Sequence, residues 1–437
     1  MEMRIWPFFI IAILTLLGCQ CQKFNANQEV SSDVLFSLNN ALTEAIIQDG
    51  FSPPVASRAY AYTSLVAQLV ASEYSDSSKN HVGSLHGFGS VPDFETEGTS
   101  MRLVLIRTFN YVAKELVYRD HILDSMAVDL LAYEDRLPDE VRISSEQLAQ
   151  DISDVILARV FADNYGETRK MPRYSPISGN DKWVPTPPGY TDALEPHWDK
   201  IQPFTLDSAG QFFEPMSVNY STDKESEFYQ TIAKQVYDSV RNTNDYYQML
   251  ARFWDCNPFL TKQHGHLMYH VRQLTPGGHW MGITQQACTQ ESLSLEESAA
   301  LFSQVSVAMA DGFIVAWHAK YKTNFIRPET YINRYMDSEW KPILESPHFP
   351  EYTSAHSTVS AAAAKVLTAK FGDDYHYIDS TEVPFGLPPR GFDSFFQASD
   401  EASLSRVLGG IHFQPAIDMG MKQGREVGAN ILKKLEN

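Results

Sequence analysis

The chain has 437 residues and carries 35 Lys and Arg against 54 Asp and Glu, a formal net charge of −19. So acidic a molecule repels polyanions, which excludes nucleic acid or an anionic membrane surface as its main partner. Its 43% hydrophobic and 12% aromatic content is that of a globular chain rather than a disordered one. Any site for an anion must therefore be built locally, from a few basic side chains converging inside an acidic protein.

In the N-terminal stretch MEMRIWPFFIIAILTLLGCQCQKF, Arg4 precedes an apolar run that stops at Gly18 and Cys19. The run is too short for a comfortable membrane span and has the layout of a secretory signal. Leu16, Leu17, Gly18 and Cys19 resemble the bacterial lipobox, in which the cysteine is lipidated and becomes the mature N-terminus. The resemblance implies a signal peptide over residues 1–18, a tether over 19–32, and a bacterial envelope protein that touches the membrane only through its lipid anchor, with the outer membrane the expected site and a periplasmic or extracellular location the alternative. Cys21 lies in the tether, so Cys256 and Cys288 form the only possible intradomain disulfide, and whether they pair stays open.

Residues 33–165 alternate apolar and polar positions at helical spacing and read as scaffold helices. Residues 168–220 are rich in proline and aromatics, as in MPRYSPISGNDKWVPTPPGY, and read as an ordered irregular segment covering a site. Helical signals resume over 222–437: Thr222 and Glu225 form a capping-box pattern ahead of Phe228, Ile232 and Val236, and Ser294 with Glu297 forms another. There is no alternating strand set and no internal repeat. The expected class is all-α, a helical bundle forming one domain over residues 33–437.

Three stretches can carry chemistry. In AWHAKYKTNFIRPET, Lys320 and Arg327 stand seven residues apart; at about 100° per residue they return to within roughly 20° of one another if the helix persists to Pro328. Such a pair can grip one anion, or be a solvated basic face, although Trp317, Phe325 and Ile326 make an apolar setting for exposed charge. In HFPEYTSAHSTVSAAAAKVLTAKFG, Ser354, Ala355 and His356 open a small-residue helix, whose N-terminus favours an oxyanion; the plainer reading makes Ser354 an N-cap and His356 an exposed first-turn residue. In SRVLGGIHF, Arg406 and His412 flank Gly409 and Gly410. Together these pieces form a set for holding a compact tetrahedral oxyanion and doing chemistry at it. His264, His266 and His270 in HGHLMYH, with His270 four residues after His266, hint at zinc, but no acidic or thiol ligand sits in the right short frame. No nucleophile elbow, dinucleotide fingerprint or P-loop is present.

Lys320, Arg327 and Pro328, then Thr353 to His356, then Ser405, Arg406 and His412 resemble, in this order, the three blocks of the superfamily that joins type 2 phosphatidic acid phosphatases, bacterial acid phosphatases and vanadium-dependent haloperoxidases. KWVPTPPGYTDALEPHWDKIQPF and TPGGHWMGI are similar to the bacterial haloperoxidase-like branch. For a haloperoxidase, the resemblance implies a vanadate cofactor with His412 on vanadium. Lys320, Arg327 and Arg406 would face the equatorial oxygens, Ser354 and the Ala355 N–H would donate hydrogen bonds, and His356 would be the acid-base at the apical oxygen. Trp317 and Phe349 fall where that branch places aromatics beside the halide, and the implied partners are hydrogen peroxide and iodide, then bromide. For a phosphatase, His412 would form a phosphohistidine and His356 would protonate the leaving group. A non-catalytic envelope binding lipoprotein is the alternative of another class. A small organic acceptor and a homodimer stay open.

Two positions depart from the pattern. Ala355 replaces the usual glycine, and the acid that many relatives carry four residues after the last histidine is here Ala416, with Asp418 the nearest acid.

Overall fold

The computed structural model describes residues 30–75, 80–258, 260–264 and 266–436. Its centre is the Leu295–Thr323 helix, which starts with a reciprocal capping box: Ser294 Oγ accepts from the Glu297 N–H and Glu297 Oε2 accepts from the Ser294 N–H. By composition this helix is apolar enough to cross a membrane, yet 89% of its most apolar window is buried inside the protein. It is packed all round because the Pro53–Glu73, Pro276–Gln290, Ala355–Phe371 and Gln414–Glu436 helices surround it.

The Ala355–Phe371 and Gln414–Glu436 helices approach closely because one presents small residues and the other has glycines every fourth position. A Cβ at Gly420 would stand 2.6 Å from the Ser354 carbonyl oxygen, and one at Gly424 2.1 Å from that of Thr358. This contact seats the first turn of the Ala355–Phe371 helix, where Ser354 and His356 lie.

Buried apolar side chains fall into two clusters. The larger contains Trp317, Ala355, Leu408 and Ile411; the smaller contains Phe228, Phe325, Ile326, Tyr352, Val407 and Phe413. The sequence therefore crosses from one cluster to the other between Trp317 and Phe325, between Tyr352 and Ala355, and between Ile411 and Phe413. Those crossings are the three stretches singled out above.

Three details differ from expectation. The described residues include two short antiparallel hairpins, Leu260–His264 with Leu267–Val271 and Tyr377–Asp379 with Arg390–Phe392; strands of three to five residues carry too few alternations to show a period of two. His266 consequently lies in a hairpin turn and His270 on a strand, not at helical spacing. The helix expected from Thr222 starts later, at Phe228, because Asp223 and Ser226 organise a turn in which the Tyr229 N–H donates to Ser226 Oγ. Phe228, Ile232 and Val236 are nonetheless its buried face.

Gly424→Ala should destabilise the fold by about 1–3 kcal/mol through overpacking, read as a drop in Tm. Gly166→Ala, where an added Cβ meets nothing within 4 Å, is the control that leaves Tm unchanged.

Candidate active site

Lys320 lies in the last turn of the core helix, which ends at Asn324 in the left-handed conformation with φ 51°. The helix does not persist to Arg327 as the spacing argument required. Asn tolerates this conformation, and residues 325–326 are drawn into extended pairing with the irregular segment, Phe325 bridging Lys182 and the Ile326 N–H donating to the Asp181 carbonyl. Arg327 becomes the extended residue before the Pro328–Tyr335 helix. The two cations converge through this sharp change of direction rather than through helical periodicity.

Both are fully buried, and backbone carbonyls meet their donors. Lys320 Nζ donates to Pro350 and Glu351 carbonyls at 3.1 Å each and to that of Thr353. Arg327 donates through Nε to the Phe349 carbonyl at 2.9 Å and through Nη1 to that of Ile411 at 2.8 Å. Burial, with Arg327 alongside, holds the Lys320 ammonium well below its usual range, and burial pushes the Arg327 guanidinium down to about 10.

Arg406, 1% exposed on the Phe395–Leu408 helix, donates to Ser405 Oγ at 2.8 Å and to the Ala251 and Trp254 carbonyls at 3.3 and 2.5 Å. Its Nη1 stands 3.9 Å from Asp255 Oδ1, longer than a hydrogen bond. Gly409 and Gly410 then turn the chain toward His412. A Cβ on Gly409 would meet Leu344 at 2.6 Å, and Gly410 has φ +83°.

His412 is held by a residue that sequence reasoning missed. Its Nδ1 is 2.8 Å from Glu351 Oε1, which also accepts the Phe413 N–H at 2.9 Å. An oxygen already accepting one N–H accepts the imidazole N–H as well, which leaves Nε2 with its lone pair, 3.2 Å from Arg327 Nη1. Burial, followed by Arg327, Lys320 and Arg406, drives the imidazole well below its usual range, so it is neutral. Burial pushes Glu351 up to about 7 against the pull of Arg327. Ala416 has no acid to offer the ring, and it is Glu351 that orients His412, not Asp418, which is exposed and accepts from Gln414. The signal was present in HFPEYTSAH as a lone acid in an apolar run, but it lies far from His412 in sequence.

Ser354 is the N-cap of the Ala355–Phe371 helix: its Oγ accepts from the Ser357 N–H at 3.3 Å and the Ser357 hydroxyl at 2.8 Å, leaving its own O–H to donate. The Ala355 N–H belongs to the first turn, where amides lack intrahelical partners. His356 is half-buried, hydrogen-bonded to the Asp255 backbone, with its Nε2 atom buried and unpartnered among the described residues. Burial first, and Arg406 next, keep it neutral.

Trp317 and Phe349 pack at 4.9 Å between ring centroids. Lys320 Nζ and the Arg327 guanidinium lie 4.8 and 5.0 Å from the centre of the Phe349 ring. A cavity of about 40 Å³ is lined by Phe349, His348, His356, Arg406, Asp255 and Leu194 among others. Cys256 and Cys288 are both buried free thiols.

Three buried cations thus surround two neutral imidazoles, while the carboxylates beside them, Glu351 and Asp255, have burial-raised pKa values of about 7 and about 6. Such an excess of buried positive charge calls for an anion. A compact tetrahedral oxyanion fits this donor set, with the His412 Nε2 lone pair, 3.2 Å from Arg327 Nη1, on offer to an electron-poor centre.

Residues 300–437 match the family model of the VCPO second helical-bundle domain. No curated relative matches the chain. Among solved structures, a bacterial vanadium-dependent iodoperoxidase is 38% identical, with a TM-score of 0.87 over 93% of this chain and 97% of the other. A holo-type bacterial vanadium-dependent chloroperoxidase is 14% identical and shares the fold, with a TM-score of 0.72 over 95% of this chain and 99% of the other. Likeness of that extent to the iodoperoxidase, over nearly the whole of both chains, makes this chain a member of the vanadium-dependent haloperoxidase family.

Proposed function

We propose that the protein is a vanadate-dependent haloperoxidase that oxidises halide with hydrogen peroxide to a hypohalous species, with iodide the first substrate and bromide the second. The carrying observation is the neutral His412, fixed by Glu351 so that its Nε2 lone pair faces a pocket of buried cations. When bound, vanadate supplies a Lewis-acidic metal that activates peroxide without changing oxidation state.

The chain's own residues do the rest. His412 Nε2 would be the nitrogen that holds vanadium, and Glu351 keeps its other nitrogen protonated and its ring oriented. Lys320, Arg327 and Arg406 offset the oxyanion's charge, with Ser354 Oγ and the Ala355 N–H as hydrogen-bond donors. The unpartnered His356 Nε2 takes a proton from incoming peroxide and returns one to the departing oxygen. Trp317 and Phe349 form an apolar wall that strips water from a large, soft anion. That wall favours iodide, as does the likeness to the iodoperoxidase.

A bacterial envelope location, with Cys19 lipidated, belongs to the same proposal and is supported by Leu16-Leu17-Gly18-Cys19; these residues lie outside the described ones. Mass analysis of the mature protein from a bacterial host should find a diacylated Cys19 as its N-terminus.

His412→Ala should abolish vanadate-dependent iodide oxidation; full retained turnover would remove this nitrogen from the site, and phosphoester hydrolysis without iodide oxidation would replace the reading by a phosphatase. Glu351→Gln should weaken vanadate binding about 10–100-fold, the usual cost of losing a partner of a metal-bound histidine, measured by equilibrium dialysis. Phe349→Ser should lower kcat/KM for iodide roughly tenfold by admitting water to the wall, with vanadate affinity nearly unchanged.

A further inference from the structure

Behind the Arg406 and His356 wall lies a second polar cluster that halide oxidation does not use. Cys256 Sγ is 3.3 Å from His279 Nδ1 and 3.7 Å from Glu382 Oε1, and His279 Nδ1 is 3.3 Å from the same Glu382 oxygen. All three residues are buried. With metal–sulfur bonds of about 2.3 Å and metal–nitrogen or –oxygen bonds of about 2.0 Å, tetrahedral ligands stand roughly 3.3–3.6 Å apart. The observed triangle has the size of one face of such a tetrahedron.

The surroundings supply what a metal-bound imidazole needs. His279 Nε2 is 2.7 Å from Asp379 Oδ2, while Asp379 Oδ1 accepts the Thr381 N–H and hydroxyl at 2.9 and 2.6 Å. A histidine that donates Nε2–H to a fixed carboxylate presents the Nδ1 lone pair to whatever lies on its other side. Here that is a thiol and a carboxylate; Asp379, against the effect of burial, holds the His279 imidazole well above its usual range, so a cation bound by the three groups displaces the Nδ1 proton as well as that of the thiol, which donates to Glu382. The Trp254 ring stacks on His279 at 4.6 Å between centroids and sets its plane. Cys256 reaches the cluster with φ 43°, a left-handed conformation that L side chains rarely adopt.

We propose that Cys256, His279 and Glu382 bind a divalent, thiophilic cation of the zinc class, the thiol and the imidazole Nδ1 losing their protons to solvent as the metal–sulfur and metal–nitrogen bonds form. The ligands come from the loop after the Asp245–Phe253 helix, from the Pro276–Gln290 helix and from the turn before residues 383–385. The first of these segments supplies the Trp254 carbonyl to Arg406 and the Asp255 backbone to His356, and the last turn of the helix before it supplies the Ala251 carbonyl to Arg406. The cation is thus a structural clamp on the wall that carries both side chains, and its Cys256 ligand also lines the cavity beside His356 and Arg406.

The test is the metal content of the full-length chain, purified from zinc-supplemented culture, dialysed against metal-free buffer and measured by inductively coupled plasma mass spectrometry. About one zinc per chain is expected, falling at least tenfold in Cys256→Ser and Glu382→Gln. Zinc-edge X-ray absorption on the unmutated protein should show one sulfur at about 2.3 Å with nitrogen or oxygen at about 2.0 Å. Zinc below about half an equivalent, unchanged zinc in the two variants, or a first shell without sulfur overturns the proposal. If the variants do not fold, the absorption spectrum of the unmutated protein decides it. Vanadium content and iodide oxidation, read on the same samples, report separately on the haloperoxidase reading.

Discussion

Burying Lys320, Arg327 and Arg406 is the constraint around which the rest of the molecule is arranged. A desolvated cation is tolerated only when its donors are satisfied and its charge is countered. Here backbone carbonyls of Phe349 to Thr353, Ala251, Trp254 and Ile411 satisfy donors but neutralise nothing. Carbonyls become available in such numbers only where the chain is not helical. The site therefore sits where helices stop: after Thr323, before Ala355, between Leu408 and Gln414, and after Phe253. Irregular backbone is the source of the ligands that hold the cations, and the remaining charge is what an oxyanion can answer.

Those interruptions coincide with the boundary between the two apolar clusters. Each active stretch leaves one cluster and enters the other within a few residues, so apolar packing on both sides grips the polar seam. Glu351 shows the economy of the arrangement: its carbonyl accepts from Lys320, while its carboxylate accepts from His412 and from the Phe413 amide. One residue thus orients the cation on one side and the imidazole on the other.

The helical class and the three chemical stretches were legible because they rest on local signals: small-residue runs, capping pairs and short fixed spacings. The capping box of Ser294 and Glu297 appears as expected, and Gly409 and Gly410 do permit the close approach of Leu344 and a left-handed turn. Contacts between distant segments were not legible. Lys320 and Arg327 were placed on one helical face, whereas pairing of residues 325–326 with 181–182 breaks the helix between them. The hydrogen bond that ties His356 to the Asp255 backbone, a hundred residues upstream, was likewise invisible in the local pattern. Glu351 went unnoticed because its partner His412 is 61 residues away. The two hairpins escaped for a different reason, being too short to show a period.

The irregular segment of residues 168–220 is fastened at several places besides the pairing of residues 181–182 with 325–326. The Trp183 amide donates to the Asn324 carbonyl, the Leu194 amide donates to the His348 carbonyl, and Asp311, buried in the core helix, accepts from the Phe204 amide and from the amide and hydroxyl of Thr205. The Leu194 carbonyl in turn accepts from the Trp317 indole at 3.3 Å and from the Tyr321 hydroxyl. Between these fastenings the segment lines the cavity with Leu194 and supplies no ligand to Lys320, Arg327 or Arg406. Leu194 thus faces Arg406 and His356 across one small cavity while taking no part in holding the cations. Substitutions at that position can reshape the cavity while the buried cations keep their backbone partners.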